Sequence, residues 1–208
     1  MQRFAEIAFT PTVRALQERD GSRAAYARLE GQGGASPALA ARELAFLAQA
    51  DSFYLATVGE TGWPYVQHRG GPRGFLKPLS PERLGFADFR GNRQLVSAGN
   101  AARDDRAALI VMDYVKRERL KLLGRLRFHD VADADPAWLR ALETPASGAR
   151  VERIASFDVA AFDWNCPQHI TPRYTLEQVE AAAQPLRERI LELEAQLREL
   201  KNPSAPLG

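Results

Sequence analysis

Hydrophobic positions along the chain change their spacing twice. Over residues 1–50 the spacing is helical. Thr10-Pro11 is a cap with a proline at the first helical position, and Val13 and Leu16 follow it. Asp20-Gly21-Ser22 breaks that helix, and Ser22 can cap the next, which runs through Tyr26 and Leu29. Gly31-Gln32-Gly33-Gly34 is a flexible link. Ser36-Pro37 repeats the cap-plus-proline signal, and Leu39, Leu44 and Leu47 give a third helix one apolar side. Residues 1–50 therefore read as a helical N-terminal extension.

From Ser52 the period is that of strands. Phe53 to Val58 is β-rich and ends at Gly59-Glu60-Thr61-Gly62, a hairpin-type turn from which Trp63 to Arg69 returns. Gly70, Gly71 and Gly74 close that strand. Leu84 to Phe89 is the next strand, and Arg90-Gly91-Asn92 then turns into a short helix through Leu95 and Val96, with Asn100 near its end. Ala107 to Met112 is apolar enough to be buried on both faces. Leu120, Leu122, Leu126 and Phe128 share one parity, while Lys121, Arg125 and Arg127 share the other. Asp133 to Leu142 predicts a short helix anchored by Trp138, and Ser156 to Phe162 a last strand. Short strands joined by hairpin-like turns imply an antiparallel barrel over 51–174, a mainly β fold carrying helices. No strand leads into Gly-x-Gly-x-x-Gly or a phosphate-loop Gly-Lys-Ser/Thr, so the dinucleotide folds are poor candidates.

Residues 175–208 form a third stretch. Thr175 to Gln178 fits a capping box, and a long helix follows. Leu186, Ile190, Leu193, Leu197 and Leu200 are spaced four, three, four and three, a heptad seam of about two heptads. That seam packs either on the chain's own barrel or on a second subunit. Pro185 is expected to kink the helix or to start its second segment.

Composition narrows the function classes. The chain has 208 residues, 45% of them hydrophobic and 26% charged, which suits one good core. Twenty-eight basic and 26 acidic side chains leave a net charge of +2, without the basic excess of a nucleic-acid protein. The longest apolar run, Ala107 to Met112, is too short to span a bilayer, and residues 1–10 hold no apolar run of signal-peptide length. The expectation is a cytoplasmic protein with no membrane or nucleic-acid partner. Cys166 is the single cysteine and there are three histidines, none at metal-ligand spacing, so no metal site is expected.

Two segments carry candidate chemistry. One is Gly62-Trp63-Pro64-Tyr65-Val66-Gln67-His68-Arg69-Gly70-Gly71, and the other is Phe86-Ala87-Asp88-Phe89-Arg90-Gly91-Asn92-Arg93-Gln94. Each sets a hydrophobic strand running into polar, cationic and glycine residues. Donors beside Arg93 and a flexible Gly91 suit a phosphate and a flat heterocycle. For Arg93 the alternative is a surface ion pair with Asp88 or Asp104, and for His68 a core histidine.

With Asp163-Trp164-Asn165-Cys166-Pro167-Gln168-His169-Ile170, these segments resemble the flavin-binding split-barrel family typified by pyridoxamine 5'-phosphate oxidase. The resemblance runs from about Phe46 to Tyr174. It implies an FMN-binding split barrel and a homodimer with the flavin at the subunit interface. It also implies cofactor contacts from Gln67, His68 and Arg69 on the returning strand and from Asp88 at the end of the next. Asn92, Arg93 and Gln94 correspond to the phosphate-holding turn, and Lys121 to a cation near the pyrimidine end of the ring. Trp164 corresponds to a wall of the ring slot, with plain core as its alternative, and Gln168 to a donor to a flavin carbonyl. The implied activity is FMN-dependent oxidoreduction of a small organic substrate; no residue stands out as an obligatory acid or base. A non-catalytic flavin or haem-binding module and a deazaflavin-dependent reductase remain alternatives. The chain departs from the oxidase itself where Gly70-Gly71-Pro72 replaces a strand ending in lysine. Residues 130–156 also lack the tyrosine that holds the substrate's phosphate.

Overall fold

The fold comes from a computed structural model that describes residues 2–30, 38–142, 151–164 and 168–201. Four helices precede the sheet: α1 (Gln2–Ala8), α2 (Pro11–Asp20), α3 (Arg23–Glu30) and α4 (Ala41–Leu47). Thr10 caps α2 by accepting the Val13 N–H, and Gly21 ends it in the left-handed conformation at φ 78°. The expected cap at Ser36-Pro37 lies outside the described residues. Helix α4 begins after Ala40, whose methyl group cannot cap; the Glu43 carboxylate accepts the Ala40 N–H instead at 3.1 Å.

Seven antiparallel strands follow: β1 (Ser52–Val58), β2 (Pro64–Gly70), β3 (Lys77–Ser80), β4 (Arg83–Phe89), β5 (Arg106–Asp113), β6 (Glu118–Asp130) and β7 (Val151–Trp164). They form one sheet in the order β2-β1-β5-β6-β7-β4-β3. Helix α5 (Val96–Arg103) connects β4 to β5, α6 (Pro136–Leu142) connects β6 to β7, and α7 (Leu176–Lys201) ends the described chain.

The sheet curls but does not close. Strand β3 pairs with β4 only as far as Gly85, so Phe86 to Phe89 has no ladder partner on that side. Strand β2 is the other edge. Side chains alone cross between them, which makes the barrel a split one.

The core lies inside the curl. Leu120, Leu122 and Leu126 are buried on the expected parity of β6. Phe53 stacks on Phe75 at 5.5 Å and meets Phe86 edge-on at 5.2 Å. Each such side chain contributes about 1.5–3 kcal/mol by leaving water. Gly124 shares the buried parity where a Cβ would come within 2.2 Å of the Asp158 carbonyl oxygen. Only glycine lets β7 cross there, and the β6–β7 register shifts at that point.

Several elements differ from expectation. β5 is not buried on both faces: Ala107, Leu109 and Val111 point inward, while Ile110 is 37% exposed on the outer face. β3 was not expected, since four residues containing a lysine and a proline carry little strand signal. β7 extends over 14 residues, well beyond Ser156 to Phe162. Helix α7 runs unbroken through Pro185, and none of its residues is buried. The seam therefore does not pack on the chain's own barrel. The capping box at its start is present, with Thr175 and Gln178 exchanging hydrogen bonds of 2.9 and 3.2 Å.

Candidate functional site

The split between β2 and β4 holds a pocket of about 230 Å³, walled on its third side by the turn leading into α5. Its organising group is Asp88, 3% exposed. The β4–β7 register sets Arg153 directly opposite Asp88, and Arg153 donates to it from Nε at 3.0 Å and Nη2 at 2.7 Å. Arg69 reaches across the split from β2 and donates from Nη1 to the other carboxylate oxygen at 2.5 Å. The guanidinium groups also lie over aromatic rings, Arg69 over Phe86 at 5.8 Å and Arg153 over Phe128 at 5.7 Å. Two cations around one buried carboxylate leave a net positive charge. Arg69 Nε is buried without a partner among the described residues, so donor capacity remains unused there.

The turn after β4 supplies the rest. Asn92 Oδ1 accepts the Gln94 N–H at 3.2 Å and tightens it. Arg93 and Leu95 both adopt positive φ, 61° and 57°, a costly conformation for residues with a Cβ. Helix α5 then starts, and Val96, Ser97 and Ala98 of its first turn line the pocket with N–H groups that have no intrahelical acceptor. Ser97, 1% exposed, donates to Gln67 Oε1 at 2.8 Å, and Asn100 Nδ2 donates to Thr57 Oγ1 at 3.0 Å. Helix α5 is thus fixed to β2 and β1. Arg93 makes no ion pair among the described residues: Asp88 is taken by Arg69 and Arg153, and Asp104 by Arg106. Three arginines, two carboxylates (Asp88 and Glu152) and a helix N-terminus give this pocket a donor set that could hold an anion.

Six of the ten residues singled out in the sequence meet here: Gln67, Arg69, Asp88, Asn92, Arg93 and Gln94. The other four lie elsewhere. Strand alternation turns His68 to the opposite face, where it meets the edge of Tyr54 at 5.6 Å. Lys121 is on that outer face too, in one cross-strand row running His68–Tyr54–Ile110–Lys121–Asp163. It pairs with Asp163 at 2.9 Å and sits 4.5 Å over the Phe4 ring. In the same region Tyr114 is held above the usual tyrosine pKa, first by its hydrogen bond with Tyr54 and then by burial. Trp164 anchors α4: its Nε1 donates to Glu43 at 2.7 Å, Phe46 meets it edge-on, and Arg42 stacks 4.1 Å over it. Gln168 is exposed and away from the pocket, and Asn165, Cys166 and Pro167 lie outside the described residues. Sequence reading missed Arg153, Tyr65 and Ser97, which also line the pocket.

Comparison with known proteins gives a consistent frame. The model of a family described as pyridoxamine 5'-phosphate oxidase matches residues 39–163. No curated protein matches the chain. Among solved structures, the chain is similar to HupZ of Group A Streptococcus, at 13% identity and TM-score 0.48, covering 65% of this chain and all (100%) of that one. It is similar to a putative pyridoxamine 5'-phosphate oxidase from Lactobacillus delbrueckii, at 19% identity and TM-score 0.46, covering 62% of this chain and 95% of that one. A third is an F420 reductase, at 21% identity and TM-score 0.41, covering 57% of this chain and 94% of that one.

Proposed function

The chain belongs to the pyridoxamine 5'-phosphate oxidase family, and on that premise we propose that it is an FMN-dependent oxidoreductase acting on a small organic molecule. The observation that carries this reading is Arg93, a cation without an ion pair among the described residues, beside the first turn of α5 and the Arg69–Asp88–Arg153 cluster. Among the described residues a terminal phosphate dianion matches that donor set: a guanidinium without an ion pair, N–H groups with no intrahelical acceptor, and the unpartnered Arg69 Nε. The residues present therefore fit the phosphate end of the cofactor.

Bound flavin supplies hydride transfer at its N5. The chain's residues bind and orient. Arg93, Asn92, Gln94 and the α5 N–H groups hold the phosphate. Gln67, kept in place by Ser97, would contact the cofactor beyond its phosphate. At about 230 Å³ the pocket is below the roughly 300–1,000 Å³ of complete ligand clefts, so it would hold the phosphate end rather than the whole cofactor. A second copy of the protein covers that ring in this reading. Tyr54, Val66 and Ile110, exposed on the outer face beside the part that α1 covers, offer apolar surface for the pairing.

The test is calorimetric titration of the purified protein with FMN and with FAD. FMN is expected to bind more tightly, because a terminal phosphate satisfies the donors that an internal pyrophosphate cannot. Equal or tighter binding of FAD would overturn the assignment.

A further inference from the structure

Helix α7 has a seam longer than its last two heptads. Taking Leu176 as position a, the a and d positions are Leu176, Val179, Ala183, Leu186, Ile190, Leu193, Leu197 and Leu200. All eight are apolar, across the whole 26-residue helix. A helix lying on a globular surface follows a period of 3.6 and drifts about 20° per heptad from a strict seven-residue repeat. A seam that holds the repeat this long suits one helix wound round another. None of these residues is buried, and the leucines and isoleucine of the last two heptads are 42–77% exposed. Pro185 falls at an outward c position. The donor it lacks and any bend it imposes are therefore on the side away from the seam.

We propose that α7 forms a parallel two-stranded coiled coil with the same helix of a second copy of this chain. Flanking charges identify the partner. In a parallel pair Arg189 at g meets Glu194 of the partner subunit at e, and symmetry repeats the contact. The remaining g–e pairs, Ala182 with Arg187 and Gln196 with Lys201, are free of repulsion. The antiparallel alternative that overlaps all eight positions sets Arg187 and Arg189 each against its own copy, and Glu180 against Glu194 of the partner subunit. Like charges there oppose that orientation. Isoleucine at a with leucine at the following d is also the combination that favours two parallel strands. At about 1.5 Å per residue the helix is about 39 Å long, and its eight seam positions from Leu176 to Leu200 span almost all of it. This pairing rests on the homodimer reading above but uses a surface separate from the sheet face.

The test uses the full chain in a Cys166→Ser background. Leu193→Cys should form an intermolecular disulfide under mild oxidation, and Ala195→Cys on the outward side should not. Ile190→Glu with Leu193→Glu should raise the dimer dissociation constant at least tenfold in sedimentation equilibrium, with near-ultraviolet circular dichroism of the barrel unchanged. Equal cross-linking at 193 and 195, or an unchanged dissociation constant, would overturn the proposal. If the parent protein is a dimer and the helix variants leave it so, the coiled coil falls and the sheet-face dimer stands. A monomeric parent protein removes both.

Discussion

Asp88 and Arg153 stand opposite each other on neighbouring strands, and the carboxylate of one holds the guanidinium of the other through two donors, at 3.0 and 2.7 Å. Arg69 takes the remaining carboxylate oxygen from across the split. One acid therefore orients two of the cations that line the pocket.

Asp88→Asn is expected to weaken FMN binding, although it removes a negative charge from that pocket. Coulomb attraction alone gives the opposite sign. The loss follows because two half-buried guanidinium groups lose the buried partner that aims them. Breaking such a pair costs about 3–5 kcal/mol, so the urea midpoint should fall as well. Calorimetry and urea titration read the two effects separately, and tighter FMN binding would mean that Asp88 does no positioning.

Arg93→Ala should leave stability within about 0.5 kcal/mol, since the side chain pairs with nothing among the described residues. FMN affinity should fall about tenfold or more, the loss of a charged hydrogen bond of roughly 1.5–3 kcal/mol. An unchanged affinity moves the phosphate elsewhere in the molecule.

Ile110→Asp tests the sheet-face pairing. The side chain is 37% exposed on the outer face, so the protomer should still fold. Light scattering should show a shift towards monomer, and flavin occupancy should fall in parallel. Full occupancy in a monomer contradicts a ring covered by the second copy.

Oxidation of pyridoxine 5'-phosphate should be absent. Pro72 stands where the oxidase has its lysine, and residues 130–156 contain no tyrosine for the substrate's phosphate. A ligand whose charged group is left unpaired is rejected strongly. Anaerobic mixing of the flavin-loaded protein with saturating pyridoxine 5'-phosphate should leave the flavin absorbance unchanged, while a chemical reductant should bleach it.

How much of this was legible in the sequence depends on the range of the interaction. The alternation of Leu120, Leu122 and Leu126 against Lys121 and Arg125 is local, and it gave the faces of β6 correctly. The turn at Asn92, Arg93 and Gln94 is local too, and it lines the pocket. Arg153 was not legible, because its role depends on a register set against a strand 65 residues away. His68 was grouped with Gln67 and Arg69 because they adjoin in sequence, yet strict alternation sends it to the other face. Trp164 stands near the end of a strand and beside polar residues, as a wall of a slot would. Its indole N–H is instead held by Glu43, a helix residue 121 positions earlier. The helix after Asn92 begins only at Val96, because two left-handed residues delay it.

The curled sheet has backbone ladders along each interior strand, but where β2 approaches β4 it has none. An ionic contact, Arg69 to Asp88, is what spans that gap. The molecule is thus a cylinder slit lengthwise and latched at the slit by a charge pair, so opening the slit breaks no backbone ladder. A ligand seated between the lips acts as a wedge glued to both, stiffening a direction the backbone leaves compliant. Occupancy at 100 times the dissociation constant would add about 2.7 kcal/mol to the folded state. The amides of β2 and of Phe86 to Phe89, on either lip, are where hydrogen exchange would slow first.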